Sequence, residues 1–465
     1  MDEGTGTADT VAEHEAAANG PREGTGVPQG EAAPFEHDID SVTASRAAAI
    51  LFLASIVVGI VCGFATFLFV AASHYGIELL WHGLPEALPG IPAAVVSIAV
   101  VSAMTILATG IVVLSRGRPA DMGRAEAEFD REGRIGYDHL PAGIGFSLTS
   151  LWSGAAIGPE AALIDLNGAI GTWLGDRFSM GPEQVRTLAY AGVAGAFGAF
   201  FGAAPVGALL AAELISPKAV SISRTRIVAG LAAGASGWVV YAQLGGQAIS
   251  PILQFAPSTT VSLVDLTLAV PLGIGGCLVG LAFGRTMLEV RVRFQPLRAR
   301  PWLAALAGGA VIATTAVLAP GLLFSGQEET PRLMSDATQI GVAGLIGIGF
   351  AKLALNVWTL STAYFGGPIF PAIFAGTAFG LAINLLLPVI PQHVAVLGVV
   401  AGLVVSAAVA PLSVTVFLAL IVDPSLTSVI AIAAVAAFIV RQLIAPTLPG
   451  IYRATRARED ELVAA

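Results

Sequence analysis

The chain has 465 residues, 55% hydrophobic and 12% charged, with a net charge of -9 and a mean hydropathy of +0.80. A soluble domain carries about 25% charged residues, so the composition excludes an ordinary water-soluble globule and points to lipid. Nothing in the charge suggests a nucleic-acid partner, and none is expected. From the N-terminus, residues 1–45 are rich in Ala, Gly, Glu and Asp and poor in large apolar side chains, the composition of a disordered tail. The tail has no basic n-region and the first apolar run starts late, so it does not read as a signal peptide. Apolar stretches then recur, among them 47–73, 92–114, 187–215, 302–324, 339–360 and 394–422. These approach or exceed the roughly 20 residues of helix that cross a bilayer core. In lipid every backbone polar group must pair internally. The runs lack the alternation of barrel strands, so they are expected to be helices. A transmembrane domain is expected over 46–452, followed by a charged C-terminal tail, 453–465.

Arginine clusters in 116–134, in 285–300, in the loop with Lys218, Arg224 and Arg226, and after Arg453. By the positive-inside rule these segments face the cytoplasm. Cys62 and Cys277 sit in apolar runs without metal-ligand spacing, and the six histidines form no cluster. No cofactor and no metal are expected, and inert buried thiols are expected rather than a disulfide.

The 54 glycines and 27 prolines interrupt many of the apolar runs, and broken helices at membrane depth serve as ion sites. An internal repeat is visible. GPEAALIDLNGAIG, from Gly158 to Gly171, is echoed by GPIFPAIFAGTAFG, from Gly367 to Gly380. Downstream, 194–214 is echoed by 401–420, both with Ala-Pro near the middle. Two halves are expected, about 46–243 and 260–452, with a binding site at the midplane between them.

In the first copy, Gly154 and Gly158 let the backbone unwind, and Pro159 suits a helix start. The predicted helix runs from about Glu160 to Leu174. Its first N–H groups, at Glu160, Ala161 and Ala162, lack intrahelical partners and carry the positive end of the dipole, which makes an anion site. Glu160 is either a cap or a gate there: ionised, it takes the anion's place, and protonated, it swings away. Gly367, Pro368, Ile369, Phe370 and Pro371 repeat the pattern, with Ile369 and Phe370 as donors. Asp165, Glu213 and Lys352 are further polar residues in apolar surroundings. Each reads as a partner in helix packing, and Glu213 is also a candidate secondary proton carrier.

The run SGAAIGPEAALIDLNGAIG, followed by AGAFGAFFGAAPVGALLAAEL, resembles the signature of the ClC chloride channel and proton–chloride antiporter family. GGPIFP (366–371) is similar to that family's second-half motif. The resemblance covers roughly 47–452. It implies an all-α, inverted-repeat membrane bundle and a homodimer with one pore per subunit. It also implies a chain without soluble regulatory domains, in a bacterial inner membrane with both termini cytoplasmic. The function implied is passage of a small anion, chloride first, as a channel or a loosely proton-coupled exchanger gated by Glu160. Another anion on the same fold, such as fluoride, nitrate or a small organic anion, is the alternative.

There are departures from the family pattern. Its usual Gly-Arg-Glu-Gly-Pro is here Gly158-Pro159-Glu160-Ala161-Ala162. Its first anion motif is matched only by spacing, at Gly117-Arg118-Pro119, where Arg118 either binds the anion or is one more cytoplasmic arginine. Pro368 removes a donor from the second site. The inner proton glutamate falls on Leu214, next to Glu213, and the pore tyrosine has no clear match among Leu448 and Tyr452. An enzyme is not expected, because no nucleophile–base pair or metal-ligand motif stands out.

Overall fold

The computed structural model describes residues 34–115, 122–215, 223–247, 252–255, 261–362, 364–408 and 410–445. Gly117, Arg118, Pro119, Lys218, Leu448, Tyr452 and the C-terminal tail lie outside the described residues, as do residues 1–33. The chain divides into two units, Met1–Ala47 and Ala48–Ala465. Helices account for nearly all the described structure. The first half holds α1 (Pro34–Glu78), α2 (Leu84–Ala87), α3 (Ala93–Leu114), α4 (Met122–Glu132), α5 (Leu140–Trp152), α6 (Glu160–Arg177), α7 (Pro182–Phe201), α8 (Ala204–Ile215) and α9 (Arg224–Gln243). The second holds α10 (Leu263–Arg293), α11 (Gln295–Arg298), α12 (Pro301–Leu318), α13 (Glu329–Ser335), α14 (Ala337–Ser361), α15 (Ile369–Leu386), α16 (Gln392–Ala408), α17 (Pro411–Ile421) and α18 (Thr427–Ile444).

Seven described helical segments are long and apolar enough to cross a membrane. They differ in where their apolar surface goes. A third of the most apolar window of Arg46–Ala87 is buried, against 78% for Ile369–Leu386. The outer segment therefore turns large side chains such as Leu53 and Leu68 outward, as lipid requires. By contrast α15 is apolar because it is surrounded by protein. The core consists of α6, α7, α15 and α16, whose residues are buried along almost their whole length.

The two copies of the sequence repeat build matching pieces. Both α6 and α15 have 18 residues, and each packs on the helix that follows it, α7 or α16. Equivalent glycines make both contacts close: a Cβ on Gly171 would run into the backbone at Leu188, and one on Gly380 into the backbone at Val396. Small residues let helices approach this way where lipid supplies little hydrophobic drive.

Three expectations need correction. The apolar runs 187–215 and 394–422 are not single spans. The first breaks into α7 and α8 at Gly202, whose φ of 73° a helix cannot accept. The second breaks into α16 and α17 ahead of Pro411, which cannot continue a helix from before it. The N-terminal region expected to be unstructured to residue 45 is helical from Pro34. Finally, α6 runs three residues past Leu174, to Arg177.

Candidate anion site at two facing helix starts

The segment from Ser153 to Pro159 connects α5 to α6 and is almost wholly buried. It departs from helix at Gly154, whose φ is 81°. Trp81 packs on the space a Cβ would need there, and its Nε1–H donates to Trp152 O at 2.8 Å. Pro159 is the N-cap residue of α6 and Pro368 that of α15. The first intrahelical bonds run from Leu163 N–H to Pro159 O (3.1 Å) and from Ala372 N–H to Pro368 O (3.0 Å). The amides of Glu160, Ala161 and Ala162, and those of Ile369 and Phe370, therefore lie ahead of the helical ladder. Pro371 has no N–H to offer, so the second helix start has two such donors.

The two breaks meet. Gly158 N–H donates to Gly367 O at 2.9 Å, and Gly367 N–H donates to Gly158 O at 2.8 Å. This is an antiparallel bridge, and it satisfies backbone groups that a broken helix would otherwise leave bare in an apolar interior. It also brings the starts of α6 and α15 together.

Glu160 lies between them. It is fully buried, and Phe370 N–H donates to its Oε1 at 3.1 Å. Its Oε2 has no hydrogen-bond partner within the protein. A Cβ on Gly158 or on Gly367 would overlap Oε2, so these glycines form the slot that the carboxylate fills. The sequence places Glu160 beside the free amides of its own helix. The structure has it reach across to the helix start of the other repeat. The equivalent position in that repeat is Ile369, so one carboxylate sits against two helix starts.

Other elements hold this geometry. Asn356 Nδ2, on α14, donates to Ala156 O at 2.6 Å. Lys352, one turn earlier, is fully buried. Its Nζ donates to Leu322 O, Leu323 O and Phe324 O at 3.0, 2.8 and 2.9 Å, and lies 4.8 Å from the centroid of the Phe374 ring. Phe324 N–H in turn donates to Gly154 O at 3.1 Å. On the far side, Phe365 N–H donates to Ser150 Oγ at 3.1 Å. Phe370 packs in an aromatic cluster with Phe200 and Phe201, the latter against Phe417 at 4.5 Å. Of these supports, the sequence reading singled out Lys352 alone. Asn356, Ser150 and the phenylalanines carry no local pattern that separates them from packing residues.

Glu213 stands elsewhere, at the start of α17. Leu412 N–H donates to its Oε1 at 3.1 Å and Ser413 N–H to its Oε2 at 2.7 Å, and Ser413 Oγ–H also meets Oε2. Leu214 is buried and apolar. Asp165, on α6, lies near His139 rather than beside Glu160.

Residues 112–442 match the model of the voltage gated chloride channel family. The chain belongs to the voltage-gated chloride channel family. Within it, this chain is 23% identical over 363 residues to YfeO of Escherichia fergusonii, a protein named for ion transport, covering 77% of this chain and 85% of that one. YfeO of Shigella sonnei matches to the same extent. Among solved structures, the fold is similar to that of a slow cyanobacterial Cl-/H+ antiporter, with a TM-score of 0.72, 21% identity, and 88% and 97% of the two chains covered. It is also similar to a CLC-type fluoride/proton antiporter, with a TM-score of 0.69, 18% identity, and 84% and 95% covered. The protein is thus a helical membrane protein with the inverted-repeat CLC fold.

Proposed function

We propose that this protein carries a small anion, chloride first, across a bacterial inner membrane, and that Glu160 gates the path. The observation that carries the reading is the bond from Phe370 N–H to Glu160 Oε1. The carboxylate occupies a free amide at a helix start, which is where a small anion would be held. Anion and carboxylate compete for the same donors. The donors hold an ionised carboxylate strongly and a protonated one weakly, so proton binding at Glu160 releases the position. Gly158, Pro159, Ala161 and Ala162 on one side, and Gly367, Pro368, Ile369, Phe370 and Pro371 on the other, shape it. Family membership supports an anion as the cargo, and the fluoride/proton antiporter among the structural neighbours keeps fluoride as the alternative, ahead of nitrate or a small organic anion. Coupling to protons is read as loose, since Leu214 cannot titrate and the hydrogen bonds of Glu213 suit a cap better than a carrier. Arg118, outside the described residues, stays a candidate inner anion ligand. The arginine segments support cytoplasmic termini, and the family resemblance supports a homodimer in contact with membrane lipid.

The test is reconstitution of the full chain into liposomes with opposed chloride and pH gradients. Glu160→Ala is expected to leave anion flux high and nearly independent of pH, and Glu160→Gln to behave similarly. A Glu160→Ala protein that keeps wild-type pH dependence overturns Glu160 as the gate. A wild-type protein that moves no small anion overturns the cargo.

A further inference from the structure

A protonatable gate needs a proton supply, and neither Leu214 nor the capping Glu213 suits that task. One other pair of titratable groups joins the helix that begins with Glu160 to the start of α5. Asp165 is buried in α6, and its Oδ1 lies 3.7 Å from Nε2 of His139, the N-cap residue of α5. The two side chains are only 10% and 11% exposed. Ionisable groups inside a membrane segment are costly and rarely incidental. This pair sits towards the arginine-rich end. The loop from Arg134 to His139 runs along α6: Arg134 and Tyr137 hold Asp176, Ile135 N–H donates to Thr172 Oγ1 at 3.1 Å, and His139 reaches Asp165.

We infer that His139 and Asp165 form an inner proton relay to Glu160. The inference rests on the reading of Glu160 as a protonatable gate. A proton taken up by His139 passes to the Asp165 carboxylate: a His139 N–H bond breaks and an Asp165 O–H bond forms. The pair goes from imidazolium and carboxylate to imidazole and carboxylic acid, so its net charge stays at zero. Such a transfer avoids creating an uncompensated charge in a medium of low dielectric constant. In the second step the Asp165 O–H bond breaks and Glu160 gains the proton. Five residues along a helix are about 7.5 Å, a gap that a short water chain can span. Ser147, on α5 between His139 and Ser150, is fully buried with no protein partner for its hydroxyl, and so offers one polar stop.

The neighbouring charges fit a relay that stays near neutral. From α4, Glu128 accepts from Gly136 N–H at 3.0 Å, and its Oε2 and the His139 ring both lie against Gly136. Asp138 adjoins His139 in the chain, and α5 itself carries no titratable side chain. From α7, Arg186 is turned to the Phe129 ring, 5.4 Å from its centroid. Arg134 and Asp176 pair with each other.

The full chain, reconstituted in liposomes, is tested by imposing a chloride gradient and recording proton and chloride movement together. Asp165→Asn and His139→Gln are expected to leave chloride flux within about twofold of wild type and to lower proton flux about tenfold, while Asp165→Glu keeps both. A merely structural pair would move stability or both fluxes together, not their ratio. If Asp165→Asn does not yield a monodisperse protein, His139→Gln decides alone. Wild-type proton-to-chloride ratios in both variants overturn the relay. So does a wild-type protein that carries chloride and no protons, an outcome that leaves Glu160 standing as an anion gate. Glu160→Ala, run beside them, reads the gate independently of the relay.

Discussion

At Glu160 the reach of one side chain decides the outcome. The carboxylate must leave α6 and cross to Phe370 N–H, 3.1 Å from Oε1. Removing one methylene withdraws it by about 1.5 Å, beyond a useful hydrogen bond. Glu160→Asp keeps its charge beside the free amides of α6 but cannot make the swing that clears the path, so it is expected to lower anion flux in liposomes about tenfold, roughly 1.4 kcal/mol added to the transport barrier, while Glu160→Gln stays fast. At Lys352 the same scale predicts instability rather than altered transport. Three carbonyls share its ammonium, and Lys352→Met would leave all three buried and bare. A cost of about 3 kcal/mol is expected, read as a lower melting temperature in detergent, with partial rescue by Lys352→Arg. Of these residues the sequence made Glu160 legible, because glycine, proline and a carboxylate at a helix start form a local pattern. What it could not show is that Phe370, read there as a donor of the second helix start, would donate to Glu160 itself, 210 residues away. That bond depends on how the two halves meet, and no local spacing encodes it.

Among the elements, the breaks were legible and the spans less so. Glycine and proline mark where α6 and α15 begin, since each alters the backbone itself. The runs 187–215 and 394–422 read as single helices because most of their residues are apolar, and a hydropathy window does not see one glycine with positive φ. The cap on α17 shows how a break is stabilised. Glu213, on α8, supplies acceptors for the first amides of α17 and so ties the two repeats together. Glu213→Gln replaces one acceptor oxygen with a donor facing backbone N–H groups. It is expected to cost about 1–2 kcal/mol of stability and to leave the proton-to-chloride ratio unchanged. Thermal melts of the purified variant check the first effect and paired flux recordings the second. A lost ratio with intact stability would make Glu213 a proton carrier instead.

For the whole molecule, composition announced a membrane protein, and the repeat announced two halves. Its oligomeric state comes only from the family resemblance. Two-step photobleaching of singly labelled protein in bilayers is the expected result for a homodimer. An inactive subunit paired with an active one should then leave half of the flux, if each subunit has its own path as the resemblance implies. A strictly monomeric active protein would set this chain apart from the assembly its resemblance implies. Accessibility of single cysteines placed in 285–300 to an impermeant reagent, from inside only, is the expected sign of the cytoplasmic orientation.

The reciprocal bonds between Gly158 and Gly367 also bear on how the chain is made. At about 5–20 residues per second, roughly ten to forty seconds separate the synthesis of one glycine from that of the other. Through that interval the first break, with Glu160 at its edge, has no partner. The nascent first half must be held in the membrane by its outer helices while its most polar backbone waits. The site is thus among the last parts to form, and its assembly joins two inserted halves rather than completing a growing one. Expressed as separate chains, the halves should regain flux only when both are present in the same membrane.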